Sequence, residues 1–325
     1  LSKAVSLISF IIPALNEASN IGATIFSIRS ELHDVPHEVI VVDNGSSDAT
    51  VSIAERMADI TIVDYDSTVA GLRNAGAGQS SGDVMVFNDA DVLLAKGWLE
   101  EFKEVKNRLL RDKIILGGSL ESPDQGNLLY SSWFGPMLSA KSESSVSYVG
   151  TGHLLVSRDL FFQVGGFDEE LISGEDVDFC RKAVENNASI LFDANLRALH
   201  VGYPSSLRDF FKRELWHGSG DYQSIDSFFQ SKTAMYSCAM LGIHSLFLML
   251  SIVYSYHFLT FLGLSLVIFP VIFSFSKYQC RLGFRLRACN IFYSYIYLLA
   301  RSFCCLRMRN GKRAAKMSDG SADYT

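Results

Sequence analysis

The chain has 325 residues, 48% of them apolar and 20% charged. That length and composition exclude disorder of the bulk and suffice for one large domain or two ordinary ones. A net charge of −6 argues against a general nucleic-acid binder.

The charge is unevenly spread. Ten of the 29 basic residues lie within 277–316, with no Asp or Glu between them. Residues 1–276 keep the other 19 basic residues against 33 of the 35 acidic ones. An acidic body with a cationic end suits contact with anionic membrane lipids. The six cysteines form no C-x-x-C pair, so neither a disulfide framework nor a zinc site is expected, and a reduced, cytosol-facing protein is. The apolar run Val5–Ile12 is short and leads into Pro13, Asn16 and Glu17 without a small-residue cleavage pattern, unlike a signal peptide.

Taken in order, Val5–Ile12 reads as a buried strand and the stretch near Ser19–Leu32 as a helix. A strand at Glu38–Val42 and a helix near Asp48–Met57 follow. A further helix near Ala70–Gln79 precedes a third strand, Asp83–Asn88. This β-α-β-α-β order predicts a parallel sheet covered by helices on both faces. Active sites in such sheets gather at the carboxyl ends of strands. The polar motifs of the chain follow Ile12, Val42 and Phe87, at those ends. Ser142–Ser147 reads as a loop.

The composition then changes. Thr233–Ser276 is a run of 44 residues without Asp, Glu, Lys or Arg. A hydrocarbon core of roughly 30 Å needs about 20 helical residues per crossing. Two crossings are expected, near 234–254 and 257–276, with a turn around Ser255–His257; the competing reading is a pair of buried core helices. Lys212, Arg213 and Lys232 precede the run and the cationic block follows it, which puts both ends on the cytoplasmic side. Beyond it, Cys289, Phe292, Tyr293, Ile296, Leu299 and Phe303 make an apolar stripe at helical spacing, with Asn290, Ser294 and Arg301 opposite. The stripe predicts a helix lying in the membrane interface. A third crossing is the alternative, with Arg301 inside it. The expected organisation is a catalytic domain over 1–230, a transmembrane hairpin over 231–276, and a basic amphipathic membrane-associated helix with a mobile tail over 277–325.

Asp89-Ala90-Asp91 ends the third strand. Residues two apart in an extended chain face the same way, and two such carboxylates suit a hard divalent cation shared with phosphate oxygens. The bland alternative is an acidic, solvated loop. Pro13-Ala14-Leu15-Asn16-Glu17 and Asp43-Asn44-Gly45-Ser46-Ser47-Asp48 follow the first two strands; each alone reads equally as a turn with a helix cap. Together, three polar loops converge where a nucleotide would sit.

The segments Pro13–Glu17, Val41–Asp48, Arg73-Asn74-Ala75-Gly76, Asp89–Asp91 and Ser173-Gly174-Glu175-Asp176-Val177-Asp178 resemble, in order and spacing over about residues 5–220, the family 2 glycosyltransferases. The resemblance implies an α/β GT-A fold, the Rossmann-like mixed sheet of nucleotide-diphospho-sugar transferases. It implies that Asp43 hydrogen-bonds the nucleotide base, in a pocket shaped by Pro13, Ala14, Asn16 and Glu17. Arg73 would contact the donor near its phosphates, and Asp89 its ribose or sugar. Asp91 would hold Mg²⁺ or Mn²⁺ on the diphosphate, with His200 near the metal. A metal there stabilises the leaving nucleoside diphosphate. Asp176 is the implied general base, with Glu175 as the alternative, and a single base on the far face from the leaving group implies inversion. Ser173-x-x-Asp176 also reads as a capping box, and a helix N-terminus would lower the acid's pKa.

Gly152 and His153, in Gly150-Thr151-Gly152-His153, are expected at the donor or acceptor sugar, or else in a turn into the strand-like Leu154–Ser157. Arg213 and Trp216 partly resemble the Q-x-x-R-W segment of processive polysaccharide synthases; the incomplete match argues against processivity. They would meet the diphosphate and sugar of a lipid-linked acceptor, or belong to an amphipathic helix entering the interface.

The reading is an inverting glycosyltransferase anchored in the inner membrane, its catalytic domain cytoplasmic. It takes a nucleotide-diphosphate sugar as donor and a saccharide acceptor carried on polyprenyl diphosphate, in cell-surface polysaccharide assembly. Membrane lipids are partners; nucleic acid is not. The rivals are a processive synthase, a sugar-phosphate nucleotidyltransferase, for which the Gly-rich basic loop is missing, and a non-catalytic membrane-tethered nucleotide-sugar binder.

Overall fold

The structure is a computed structural model that describes residues 7–124, 126–138, 144–278 and 282–304. The expected strand start at Val5, the first part of the Ser142–Ser147 loop, Arg281 and the basic tail beyond Cys304 lie outside the described residues. The chain divides into two compact units. One takes its described residues from Leu1–Pro123 and Leu138–Tyr203, the other from Asp124–Met137 and Pro204–Arg313.

In chain order the elements begin β1 (Ile8–Ala14), α1 (Ile21–Glu31), β2 (His37–Asp43), α2 (Thr50–Met57), β3 (Ile60–Val63), α3 (Val69–Gln79), β4 (Val84–Asn88) and β5 (Val92–Leu94). There follow α4 (Trp98–Arg111), β6 (Ile114–Glu121), a π-helical turn (Tyr130–Phe134), α5 (Gly135–Leu138), β7 (Ser144–Ser145), β8 (His153–Ser157), α6 (Arg158–Val164), α7 (Glu175–Glu185) and β9 (Ser189–His200). The last part holds α8 (Leu207–Gly218), α9 (Ile225–Gln230), α10 (Lys232–Val253), α11 (Phe258–Lys277) and α12 (Phe284–Phe303).

The first unit is built on one sheet, ordered β3-β2-β1-β4-β8-β6-β9-β5, with β7 beside β9. β3, β2, β1 and β4 run parallel, as the β-α-β-α-β reading predicts. From there the sheet is mixed: β8 is antiparallel to β4 and β6, β6 parallel to β9, and β5 antiparallel to β9. The GT-A-like mixed sheet expected from the resemblance is therefore present.

Side-chain alternation along the strands feeds two cores. Phe10 and Ile12 of β1 and Val84 and Val86 of β4 pack under α1 and α4 with Ile25, Trp98 and Phe102. Ile11, Met85 and Phe87 face the other way and meet Phe161, Phe167 and Phe179. Burial of each such side chain contributes about 1.5–3 kcal/mol, which explains why the central strands read as continuous apolar runs. Helix α3 comes close to the sheet because Gly76 has no side chain: a Cβ there would lie 2.6 Å from Ile11 Cγ2. Arg73, one turn earlier on the same face, is thereby buried at 4% exposure.

The second unit differs from the first at its surface. α10 and α11 are long and apolar enough to cross a membrane; 22 residues at ~1.5 Å each reach about 33 Å. Leu246, Ile252, Phe261, Val267 and Phe275 on these helices are exposed, so the pair is not a buried core hairpin. Polar groups lie inside. Ser274 Oγ donates to Asn290 Oδ1 at 2.5 Å, Asn290 Nδ2 to Ser132 O at 2.6 Å, and Tyr236 OH to Phe269 O at 2.9 Å. On α12, Asn290 and Ser294 are buried while Phe292 and Phe303 are exposed. Arg301 is turned inward as well, 3.1 Å from both Glu214 and Asp221. α8, which packs on α12, belongs to this unit, which takes up the chain again at Pro204.

Candidate active site

Four loops at the carboxyl ends of β1, β2, β4 and β9 and the start of α7 carry the acids and the histidine that the sequence singles out. The first two loops are laced together. Asn16 takes a positive φ of 54°; its backbone N–H donates to Ser46 Oγ at 2.7 Å and its Oδ1 accepts from Ser47 N at 2.9 Å. Glu17 N donates to Thr50 Oγ1 at 2.7 Å. Pro13 and Ala14 end β1 opposite Val42 and Asp43. Asp43 is fully buried, and its carboxylate accepts from Gly45 N, Ser46 N and Ser46 Oγ. It therefore shapes its own turn.

The D-A-D loop is braced from three sides. Asn88 Nδ2 donates to Asp89 O and Val92 O, and Asp89 N donates to Gly152 O at 3.2 Å. Asp91 Oδ2 lies 3.0 Å from His200 Nε2, across the Val92–His200 register of β5 and β9. His200 Nδ1 is buried without a hydrogen-bond partner. Glu17 is pushed up to about 7 by burial, reinforced by the negative charges of Asp91 and Asp89. Such mutual repulsion among carboxylates is what a cation relieves. Among the described residues no group of three or more His, Cys, Asp or Glu is placed to hold a metal alone. A cation bound by Asp91 and His200 would need oxygens from a bound diphosphate, the usual arrangement for Mg²⁺.

Arg73 ties this loop to α7. Its Nη2 donates to Asp89 Oδ1 at 2.8 Å and its Nη1 to Glu175 Oε1 at 2.7 Å. Both contacts are to protein carboxylates, so Arg73 serves here as a clamp rather than as an open phosphate contact. Glu175 is buried, held by Arg73 and, at 3.5 Å, by Thr151 Oγ1. Asp176 carries no such pair. It is pushed up to about 7 by burial and next by the charge of Glu175, while the Val177 N–H that donates to it pulls the other way. The depression expected at a helix start is thus outweighed. Nor is Ser173 the cap: Gly174, at φ 83°, begins α7 without a side-chain cap.

One extended stretch runs along these groups. A Cβ on Gly150 would lie 3.7 Å from Asp176 Oδ2, Thr151 touches Glu175, and a Cβ on Gly152 would lie 3.0 Å from Asp89 Oδ2. Gly152 is therefore at the site, but His153 is not open to an acceptor. It is 1% exposed. Trp98 Nε1 donates to its Nε2 at 2.7 Å, and its Nδ1 lies 3.0 Å from Asn88 Oδ1. Burial pushes its pKa down to about 3, so it is a neutral core residue bracing Asn88. Gly118 makes room for it, since a Cβ there would lie 2.5 Å from the imidazole. Arg213 and Trp216 belong to the second unit. Arg213 Nε donates to His217 Nε2 at 3.3 Å with its guanidinium 4.7 Å over Phe134, and Trp216 sits edge-on to His217. Sequence reasoning missed Asn88, Thr151 and Gly202, whose contacts with His153, Glu175 and Asp91 span 65, 24 and 111 positions; their only local signal is adjacency to the motifs.

The sequence model of glycosyl transferase family 2 matches residues 9–131, which hold β1 to β6 and the D-A-D loop. The glycosyltransferase AglE of Haloferax volcanii is 31% identical over 69% of this chain and 75% of its own length. A pre-mycofactocin glycosyltransferase of Mycobacterium tuberculosis is 29% identical over 65% of this chain, which spans 46% of that protein. Among solved structures, a mannosyltransferase of Pyrobaculum calidifontis, in complex with GDP-Man and Mn²⁺, covers 94% of this chain and 88% of its own at a TM-score of 0.59 and 16% identity; that likeness concerns the fold. With AglE 31% identical over 75% of its own length and the family's model matching residues 9–131, the chain belongs to glycosyl transferase family 2.

Proposed function

We propose that this glycosyltransferase inverts configuration at the sugar it transfers, uses Asp176 as general base, and works beside a membrane on a lipid-linked saccharide. The observation that carries the reading is the Arg73 bridge. It joins Asp89, on the donor side, to Glu175, whose neighbour Asp176 is the acid held near neutrality. A base with a pKa near the working pH is half ionised and still accepts a proton readily. Asp176 takes the proton of an acceptor hydroxyl as that oxygen bonds to the anomeric carbon. The bond from that carbon to the diphosphate breaks, and the nucleoside diphosphate leaves on the opposite side. Glu175 stays paired to Arg73 and raises Asp176 through its charge.

Asp91 and His200 would hold Mg²⁺ or Mn²⁺, which supplies charge neutralisation for the leaving diphosphate. The Pyrobaculum mannosyltransferase, crystallised with a nucleotide sugar and Mn²⁺, supports the same donor class here. The apolar exteriors of α10 and α11 support a membrane anchor. The basic residues that flank them in the sequence support a cytoplasmic catalytic unit. An anchor would hold the site next to an acceptor carried on polyprenyl diphosphate.

The test is a panel of nucleotide sugars with Mg²⁺ or Mn²⁺ and lipid-linked acceptors, given to the full chain in lipid nanodiscs. Asp176→Asn is expected to bind donor and lose transfer, with the anomeric configuration of the wild-type product inverted. Retention of configuration, or transfer at the wild-type rate by the variant, overturns the base assignment. Product length of one added sugar is expected; a polymer would favour a processive synthase.

A further inference from the structure

We infer that Gly202 is a positioning residue for Asp91: the bare backbone at 202 is what lets the Asp91 carboxylate lie where it meets His200. The inference rests on the metal role proposed for Asp91. A Cβ on Gly202 would lie 1.8 Å from Asp91 Oδ2 and 2.9 Å from its Cγ. Gly202 needs no special backbone conformation, for it is not among the positive-φ residues; what a side chain there would meet is the Asp91 carboxylate. The contact is fixed from both sides. Val201 N donates to Asp91 O at 3.0 Å, and Val92 pairs with His200, so strand pairing holds the backbones on either side of the carboxylate. Tyr203 Oη donates to Leu120 O at 3.2 Å, and its ring packs edge-on against His200 at 4.3 Å. The turn after β9 therefore cannot drift away to make room, and a methyl group at 202 must displace the carboxylate. The comparable contact on the donor side is looser, since a Cβ on Gly152 stays 3.0 Å from Asp89 Oδ2.

A side chain held by surrounding packing binds metal better than one left to choose its rotamer. Displacing the carboxylate removes its metal contact without removing the charge, unlike a direct substitution.

The experiment measures, by calorimetry on the full chain in nanodiscs, the affinity for UDP, GDP and dTDP with and without Mn²⁺, carrying forward the nucleotide that wild type binds best. Gly202→Ala is expected to weaken Mn²⁺-dependent binding at least tenfold, leave metal-free nucleotide binding within twofold, and keep the thermal unfolding midpoint. The double variant Asp91→Ala/Gly202→Ala is expected to bind no more weakly than Asp91→Ala alone, because both changes act through one carboxylate. Gly202→Ala within twofold of wild type, against a sensitive Asp91→Ala, overturns the inference alone. So does a double variant more than twofold weaker than Asp91→Ala. Unchanged Mn²⁺ dependence in Asp91→Ala overturns the metal reading itself, and the positioning role falls with it.

Discussion

Each of the two units buries an arginine between two carboxylates, and the two clamps do different work. In the first unit Arg73 joins Asp89 to Glu175 inside a shell of apolar strands and helices. In the second, Arg301 joins Glu214 to Asp221 in a unit that buries aromatic side chains such as Trp133 and Phe210 together with polar ones, and exposes apolar side chains along α10 and α11. The first clamp sits against a core of the kind water drives together, and it fixes Asp89 and Glu175 relative to each other. The second provides polar cohesion where the outward surface is apolar. Burial pattern, rather than the ion pair, tells the two environments apart.

The sharpest way to break the first half of that comparison is Asp176→Asn. A lost general base lowers the transfer rate by roughly 10²–10⁴-fold, read as kcat with donor affinity unchanged. In wild type the rate should rise with pH to a plateau, with a midpoint at about 7, as Asp176 ionises. The variant's residual rate should lack that rise, and Glu17→Gln, which removes the other carboxyl held near 7, should keep it. Stability carries the opposite sign. Between the ordinary value of 3.8 and about 7 the folded chain holds more protons on Asp176 than the unfolded chain does. This group's contribution therefore makes stability fall as pH rises through that window, and Asp176→Asn should remove that slope.

Next in size are the clamps themselves. Removing one partner of a buried ion pair costs about 3–5 kcal/mol, because a charge is left buried and unpaired. Arg73→Met should lose this stability together with transfer. Arg301→Met should lose similar stability, measured by thermal unfolding in detergent, and keep nucleotide affinity. Glu214 makes the second effect pH-dependent. Burial favours its neutral form, but the positive charges of Arg301, Arg213 and Lys277 hold its pKa below 4.5. Its stabilisation is present above that value and is lost as pH falls. Equal loss of nucleotide affinity in both variants would erase the distinction between the clamps.

A smaller effect probes the buried polar groups of the second unit. Asn290→Leu removes the acceptor of Ser274 Oγ and the donor to Ser132 O. Leaving a buried polar group unmatched costs about 1–3 kcal/mol, so the unfolding midpoint in detergent should drop. A midpoint equal to wild type would mean that these hydrogen bonds hold nothing together.

The two units were not equally legible in the sequence. The motif loops after β1, β2 and β4 stood out because turn residues and acids interrupt apolar runs at the carboxyl ends of strands. β3 and β5, of four and three residues, are too short to show a period. His153 was misread because its environment is made by Trp98 and Gly118, which no local pattern links to it. Gly202 has no local signal, since the side chain it accommodates lies 111 positions earlier. On α12 the apolar stripe was plain, but a stripe alone does not say whether it faces a core or a lipid. Only the burial of Asn290 and Ser294 opposite it gives the direction.

That direction can be measured with the smallest perturbation of all. Phe292 is 50% exposed, so Phe292→Trp should change stability by less than about 0.5 kcal/mol. If the stripe lies in the membrane interface, the added indole should emit at short wavelength in vesicles, read as the difference from the wild-type spectrum. Brominated lipids should then quench it more than aqueous iodide does. A helix lying in the interface plane keeps its apolar face at one shallow depth. A tryptophan placed at Phe303, about three turns further along the same stripe, should therefore report the same depth as one at Phe292. A crossing helix would put the two at different depths, and strong iodide quenching at both would place the stripe in water, ending the claim that the second unit is folded for lipid.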